Sequence, residues 1–184
     1  MAIAFGARCG KPGPAIEEFA VSHLKQTNEI LVTMAGIGVA QHHGILRTLL
    51  GSCIGIVLYE RKLKLVGLAH VVMPNSMGRS QPAGKYADTA IPETIRRMTN
   101  LSGGLRLSLS ARIAGGANMF AHVSPNVTNT IGEQNVLAVE KTLTALEIPI
   151  LGRHLGGSFG RRMVVEVENG VVQIHVIGQP VVPL

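Results

Sequence analysis

Apolar and polar residues alternate along most of the chain after its first 25 or so residues, which is typical of β-strands with one buried face. Glu168-Asn169-Gly170 separates two such runs, and Asn-Gly between apolar runs is a strong hairpin signal. The pattern therefore predicts a strand-rich domain. The predicted strands are residues 29–34, 47–50, 54–59, 63–72, 105–114, 148–154, 162–167 and 171–177.

Two stretches follow the helical period instead. Pro92 fits best in a first turn, so the first helix is predicted to begin near residue 88 or 89. Thr130 and Glu133 have the spacing of a capping box at the start of the second, which Pro149 follows. The apolar faces are formed by Ile91, Ile95 and Met98 in the first helix and by Val136, Val139, Leu143 and Leu146 in the second. Two helices with many strands predict an α+β or layered α/β domain.

The composition narrows the class of protein. A chain of 184 residues with 46% hydrophobic and 15% charged residues can form one domain with a real core, and general disorder is excluded. Two cysteines, Cys9 and Cys53, cannot form a disulfide framework, which favours a reducing compartment. Neither an apolar run of membrane-spanning length nor a signal-peptide core is found. We expect a cytoplasmic protein without membrane insertion.

The net charge of +6 suggests an acidic partner. Nucleic acid fits poorly, because Lys and Arg are scattered and the sequence has no Trp, four Phe and two Tyr for base stacking. An acidic protein surface is the better expectation.

Cys53 and His70 are the candidate chemical groups. Cys53 lies just after a glycine in Gly51-Ser52-Cys53, where backbone N–H groups could stabilise an oxyanion, and His70 lies near the end of a predicted strand. The short turn 60–62 makes the two strands a predicted hairpin, and an alignment of Leu58 with Lys64 would place both residues near one edge. A thiol beside an imidazole can attack a carbonyl. A buried structural cysteine is equally compatible with the pattern, and a lone histidine at such a position is more often a core or edge residue than a general base.

Other chemistries have less support. The glycine pairs at 115–116 and 156–157 follow predicted strands but lack the Gly-Lys-Ser/Thr ending of a phosphate loop, so they indicate turns or close approach of a substrate. The seven histidines show no zinc-ligand spacing, and no Gly-x-Ser-x-Gly motif supports a serine triad. We therefore expect neither a metal nor a cofactor.

Six segments, taken together and in order, resemble the CheD family of chemoreceptor glutamine deamidases. The resemblance covers about residues 28–178, which leaves 1–27 as an irregular lead-in and 179–184 as a C-terminal tail. The matching segments are 50–53 (LGSC), 70–74 (HVVMP), 85–92 (KYADTAIP), 115–119 (GGANM), 131–136 (IGEQNV) and 156–161 (GGSFGR).

The resemblance implies an α/β/β/α sandwich with mixed sheets, similar to the catalytic domains of deamidating toxins. It implies hydrolysis of glutamine side chains of methyl-accepting chemoreceptors, with Cys53 as the nucleophile and His70 as the general base. Some members carry a threonine six residues before the cysteine, where this chain has Arg47. Here Thr48 is the candidate third residue, although an offset of one reverses the side-chain face on a regular strand unless a bulge intervenes. Candidates for oxyanion or substrate binding are Ser52, Gly115, Gly116, Gly156 and Gly157.

Two alternatives stay open. Some members of the family dock a CheC-type phosphatase, so the chain could be a binding module with little or no catalysis. A thiol hydrolase or transglutaminase-like enzyme with another amide substrate is more distant. We expect a monomer, and no catalytic role for Cys9.

Overall fold

A computed structural model describes residues 28–79, 82–119 and 129–184, so the expected lead-in 1–27 and Cys9 lie outside the described residues. The described part contains ten strands and two α-helices. In chain order they are β1 Glu29–Leu31, β2 Ile37–Gln41, β3 Ile45–Leu50, β4 Ile54–Glu60, β5 Leu65–Val71, α1 Ala87–Leu101, β6 Leu109–Gly115, α2 Ile131–Ala145, β7 Ile150–Leu155, β8 Arg161–Glu166, β9 Val172–Val176 and β10 Val182–Pro183.

The strands form two five-stranded sheets. The first, called here the outer sheet, has the order β1-β3-β8-β9-β10, and the second, the central sheet, has the order β2-β5-β4-β6-β7. Each sheet contains one parallel pair, β1–β3 and β6–β7, while its other pairs are antiparallel. The expectation of an α+β domain with mixed sheets is therefore confirmed.

Strands β4 and β5 are buried along their whole length because both faces of the central sheet are covered. One face carries the helices over a core that includes Ile56, Ile91 and Leu143. The other face packs on the outer sheet through a second core that includes Leu46, Leu68 and Met163.

The resemblance implied four layers, α/β/β/α. The described residues form three layers, which are the helices, the central sheet and the outer sheet. Both helices direct their apolar faces to the central sheet, so they lie on the same side of it. On the far side of the outer sheet, β3 and β8 alternate between buried and more exposed residues, with Leu49 and Arg162 exposed.

Local signals predicted the helix starts closely. Thr130 Oγ1 accepts a hydrogen bond from the Glu133 amide at 3.2 Å, and the Glu133 carboxylate accepts one from the Thr130 amide at 2.9 Å, which confirms the capping box. Helix α1 begins at Ala87, slightly before the predicted start, so Pro92 lies in its second turn rather than its first. A proline there removes one backbone hydrogen bond of the helix.

Several strand boundaries differ from the predictions. The predicted strand 29–34 ends early, because the chain turns after Val32 and Ala35 has a φ of 59°. The glycine-flanked β2 was not predicted. The residues expected as a C-terminal tail pair as β10 with β9, and the Leu184 amide donates to the Val172 carbonyl at 2.9 Å.

Candidate active site

The β4–β5 hairpin brings the thiol and imidazole segments to one end of the central sheet. Its register places Ile54 opposite Val71 and Gly55 opposite His70, so Cys53 and His70 lie at the same end of the hairpin. The conditional alignment of Leu58 with Lys64 is wrong by three residues, since Leu58 lies opposite Gly67. Cys53 lies in the bend just before β4.

Thr48 reaches His70 across the interface between the two sheets. Thr48 is fully buried on β3 of the outer sheet, and His70 is only 3% exposed on β5 of the central sheet. Thr48 Oγ1 lies 2.7 Å from His70 Nδ1 and also 2.7 Å from the carbonyl oxygen of Val32. Since a carbonyl can only accept, the single hydroxyl proton of Thr48 is directed to Val32. The hydroxyl oxygen then accepts from His70 Nδ1–H.

This arrangement assigns the imidazole tautomer. With the proton on Nδ1, the other ring nitrogen, Nε2, carries the lone pair. Nε2 is buried and has no hydrogen-bond partner among the described residues. The geometry therefore presents His70 as a base whose accepting nitrogen is free.

The one-residue offset at the third position does not separate Thr48 from His70. Strand β3 pairs with β8 in an unbroken register over Ile45–Leu50, so no bulge is present there. Within that regular strand Thr48 faces the interior, while Arg47 lies on the opposite face and pairs with Glu29. The inward position belongs to Thr48 without any distortion of the strand.

Burial shifts the protonation of both groups toward their neutral forms. Burial lowers the pKa of His70, and the Val32 carbonyl offsets this only in part. Burial also raises the pKa of the Cys53 thiol. Both shifts favour a neutral thiol and a neutral imidazole near neutral pH.

The bend that contains Cys53 is held through its carbonyl groups. Three consecutive carbonyls each accept a hydrogen bond, whereas the backbone amides of Ser52 and Cys53 donate none to the described residues. These two N–H groups are thus available to a developing oxyanion. The three donors are Ala117 N–H to the Gly51 carbonyl at 2.8 Å, Asn135 Nδ2 to the Ser52 carbonyl at 3.1 Å, and Gly116 N–H to the Cys53 carbonyl at 3.0 Å.

The two glycine pairs belong to one hydrogen-bonded arrangement around this bend. Gly115 has a φ of 123°, and a Cβ there would overlap the Cys53 carbonyl oxygen, so only glycine fits. The Gly156 amide donates to the Gly115 carbonyl at 2.9 Å, which ties the second pair to the first. Gly115 and Gly116 therefore contact the bend directly, whereas Gly156 is linked to it through Gly115, and the Gly157 carbonyl accepts from the Asn118 amide at 2.8 Å.

A cavity of about 710 Å³ opens beside the bend at Gly51. Its exposed walls are largely apolar, and Arg162 adds a positive charge at its edge. Gly51 lines this cavity, whereas Cys53, Thr48 and His70 do not, and Leu49 and Arg162 place part of its wall on the far side of the outer sheet. The apolar walls are formed by Leu49, Met119, Phe159 and Ile177.

The sequence interpretation did not single out Asn135. This fully buried amide lies on the α2 face that also buries Val139 and Leu143. A polar residue in the middle of an apolar helical row was the signal that could have identified it.

Neither a metal centre nor a membrane helix was found in the part of the chain that the structure describes. No group of three or more His, Cys, Asp or Glu side chains there could hold a metal ion. Neither described helix is long and apolar enough to cross a membrane.

Comparison with known proteins gives a consistent family match. The family model described as CheD chemotactic sensory transduction matches residues 72–176, a range that begins two residues after His70. A probable chemoreceptor glutamine deamidase CheD of Clostridium botulinum is 37% identical over 162 residues, covering 86% of this chain and 99% of the relative. The chemoreceptor glutamine deamidase CheD of Halalkalibacterium halodurans is 40% identical over 154 residues, covering 82% and 94%. A probable chemoreceptor glutamine deamidase CheD of Methanococcus maripaludis is 40% identical over 145 residues, covering 78% and 92%.

Proposed function

This chain belongs to the CheD family, and from that premise we propose that it is a protein-glutamine deamidase acting on methyl-accepting chemoreceptors. The names of its relatives support the reaction and the substrate class. The observation that carries the proposal is the Thr48–His70 hydrogen bond, because it leaves the basic Nε2 of His70 free at the end of the hairpin where Cys53 lies. We assign Cys53 as the nucleophile, His70 as the general base and Thr48 as the residue that orients His70.

The reaction has two halves. Cys53 Sγ bonds to the carboxamide carbon of the glutamine while His70 Nε2 takes the thiol proton. The oxygen of the tetrahedral intermediate lies against the backbone amides of Ser52 and Cys53. The C–N bond then breaks, His70 returns its proton to the leaving nitrogen, and ammonia departs from a thioester. Water, deprotonated by His70, attacks the thioester carbon, and the C–S bond breaks as His70 returns that proton to Sγ, which gives the glutamate side chain and restores the thiol.

In the proposed reaction the imidazole of His70 is neutral before each half-reaction and positively charged during it, and Thr48 can stabilise both forms. Accepting from Nδ1–H fixes the tautomer before attack, and the same hydrogen bond strengthens when the ring becomes an imidazolium. The proton of Thr48 stays directed at Val32 throughout. His70 therefore needs no reorientation between its two proton transfers.

The proposal is tested by incubating the protein with a purified receptor signalling domain and mapping Gln-to-Glu conversion by peptide mass spectrometry. Conversion is expected with the wild type and with Cys9→Ser, the matched change at the other cysteine, but not with Cys53→Ala. Conversion that persists in Cys53→Ala would overturn the nucleophile assignment. A wild type that deamidates other proteins but no receptor would point to a thiol hydrolase with another amide substrate.

A second candidate function is a docking role toward a CheC-type phosphatase. The observation that favours it is the apolar surface around the cavity, where Phe159 is 57% and Ile177 is 100% exposed. Exposed apolar patches of this kind are typical of protein-binding sites. Sedimentation with a purified phosphatase separates the two roles, because docking without catalysis would survive Cys53→Ala and fail in Ile177→Asp.

Two further proposals concern setting and ancestry. We place the protein in the cytoplasm, which the unpaired thiol of Cys53 supports, because thiols persist in a reducing compartment. We also propose a fold relationship to the catalytic domains of deamidating toxins, supported by the stacked mixed sheets with a cysteine bend and a histidine strand at one end. Superposition on a solved toxin domain would test this relationship through the overlap of those two elements.

A further inference from the structure

Asn135 occupies a position on α2 where an apolar side chain would be expected. It is fully buried, four residues before Val139, in the face that packs on the central sheet. A polar group in such a place is retained only when it makes hydrogen bonds that compensate for its loss of water. The partners of this amide therefore indicate what the residue does.

Both hydrogen bonds of Asn135 lead to the candidate active site. Its Nδ2 donates to the Ser52 carbonyl at 3.1 Å and to the Val72 carbonyl at 3.0 Å. The first carbonyl belongs to the bend of Cys53, and the second lies two residues after His70. A flipped amide would place Oδ1 against two carbonyl oxygens, so the network fixes this orientation. One NH₂ group thus joins the nucleophile segment to the base segment.

The bond to Ser52 also orients the Cys53 amide. In a planar trans peptide the carbonyl and the following N–H point in opposite directions. Holding the Ser52 carbonyl toward α2 therefore directs the Cys53 N–H away from α2, and it donates to none of the described residues. Donation to the carbonyl also polarises the peptide, which strengthens its N–H as a donor.

Asn135 Oδ1 is buried without a hydrogen-bond partner among the described residues. A buried acceptor left unpaired destabilises the fold, so asparagine carries a cost here, whereas an apolar side chain would remove the donor to the Ser52 and Val72 carbonyls. The choice of asparagine is thus better explained by placement of the two carbonyls than by packing.

We propose that Asn135 is a positioning residue that aims the Cys53 amide at the oxyanion and sets the spacing between the Cys53 bend and the His70 strand. This inference rests on the proposed deamidation. The amide acts through the backbone and does not touch the substrate.

The test compares two reactions of Cys53 in Asn135→Leu, which keeps the number and branching of the side-chain heavy atoms and removes both N–H donors. Deamidation passes through an oxyanion, so kcat is expected to fall about 10- to 100-fold with KM within about threefold of the wild type. Alkylation of Cys53 by iodoacetamide forms no oxyanion. Its rate, measured for variant and wild type at one alkaline pH, is therefore expected to differ by less than about threefold. Leu143→Ala, a matched core change on the same helix, should leave both rates per folded molecule nearly unchanged.

Unchanged kcat in a folded Asn135→Leu protein would overturn the positioning role. Equal losses in deamidation and alkylation would reduce Asn135 to a purely structural residue and overturn it as well. If Asn135→Leu fails to fold, Asn135→Met removes the same donors with a more adaptable side chain. The loss in deamidation rate is then compared with the loss in alkylation rate in the same way. A wild type that deamidates no receptor contradicts the proposed function instead, so the two failures are distinguishable.

Discussion

Thr48→Val is the most direct perturbation of the candidate active site. Valine keeps the branched shape of threonine and removes the oxygen that accepts from His70 Nδ1 and donates to the Val32 carbonyl. Two buried polar groups then lose their partner. The unfolding free energy is expected to fall by about 1 to 3 kcal/mol, the cost of leaving a buried hydrogen-bonding group unsatisfied.

The effect on rate follows from the change in charge during the reaction. A hydrogen bond to a charged group contributes about 1.5 to 3 kcal/mol and a neutral one about 0.5 to 1.5 kcal/mol, so losing it raises the barrier by about 1 to 1.5 kcal/mol. Without Thr48 the ring proton is no longer held on Nδ1, and placing it there again raises the barrier by about 1 kcal/mol more on the same scale. Since 1.36 kcal/mol corresponds to a tenfold change, kcat should fall roughly 30- to 70-fold.

The assay is the initial rate of ammonia release from a receptor fragment, with urea unfolding measured in parallel. Thr48→Ser is the matched control, because it keeps the hydroxyl and loses only a methyl group. Its kcat should stay within about threefold of the wild type, with a stability loss of about 1 kcal/mol. A Thr48→Val enzyme with near wild-type kcat, or a Thr48→Ser enzyme as slow as Thr48→Val, would refute the reasoning.

The remaining predictions concern protonation and backbone space. The lowered pKa of His70 means that folding disfavours its charged form, so its stability contribution is complete above about pH 6.5 and is lost as the pH falls through the lower folded value. Urea unfolding of wild type against His70→Gln from pH 8 to 5 should show this difference, and a flat difference would contradict it. The raised pKa of Cys53 predicts that its alkylation rate keeps rising above about pH 8.5, and a plateau at neutral pH would indicate a stable thiolate. Gly115→Ala should greatly reduce kcat and destabilise the protein in thermal unfolding. Gly156 has a φ of 74° and open space at its Cβ, so Gly156→Ala should lower the unfolding free energy by only about 1 kcal/mol. Equal effects of the two changes would contradict the overlap with the Cys53 carbonyl.

Features controlled by neighbouring residues were predictable from the sequence. The hairpin around Gly170, where β8 and β9 pair, and the capping box of Thr130 and Glu133 each depend on residues close in the chain. Strand β2 was missed because its five residues, with Gly38 between Ile37 and Val39, are too short a run to show a clear alternation, and its pairing with β5 makes it a strand. The partition of the strands into two sheets depends on pairings between distant segments, which periodicity does not encode.

In the candidate site, too, features that depend on neighbouring residues were predictable and contacts between distant segments were not. Cys53 and His70 were candidates from their local sequence, and the family resemblance implied their roles. The hairpin between them follows from a short turn. The contact between Thr48 and His70 depends on the stacking of two sheets, so no spacing in the sequence could reveal it. Asn135 was hidden for a related reason, since its partners Ser52 and Val72 are distant in the chain.

Thr48 and His70 lie on different sheets, so the geometry of the candidate site depends on the distance between the two sheets. Their 2.7 Å hydrogen bond joins the two sheets, and a separation larger by about 1 Å would break it. Leu46 and Met163 fill the interface next to this bond, so reshaping them should slow the reaction before it unfolds the protein. A protein that pressed on the outer sheet could likewise regulate the reaction without approaching the thiol.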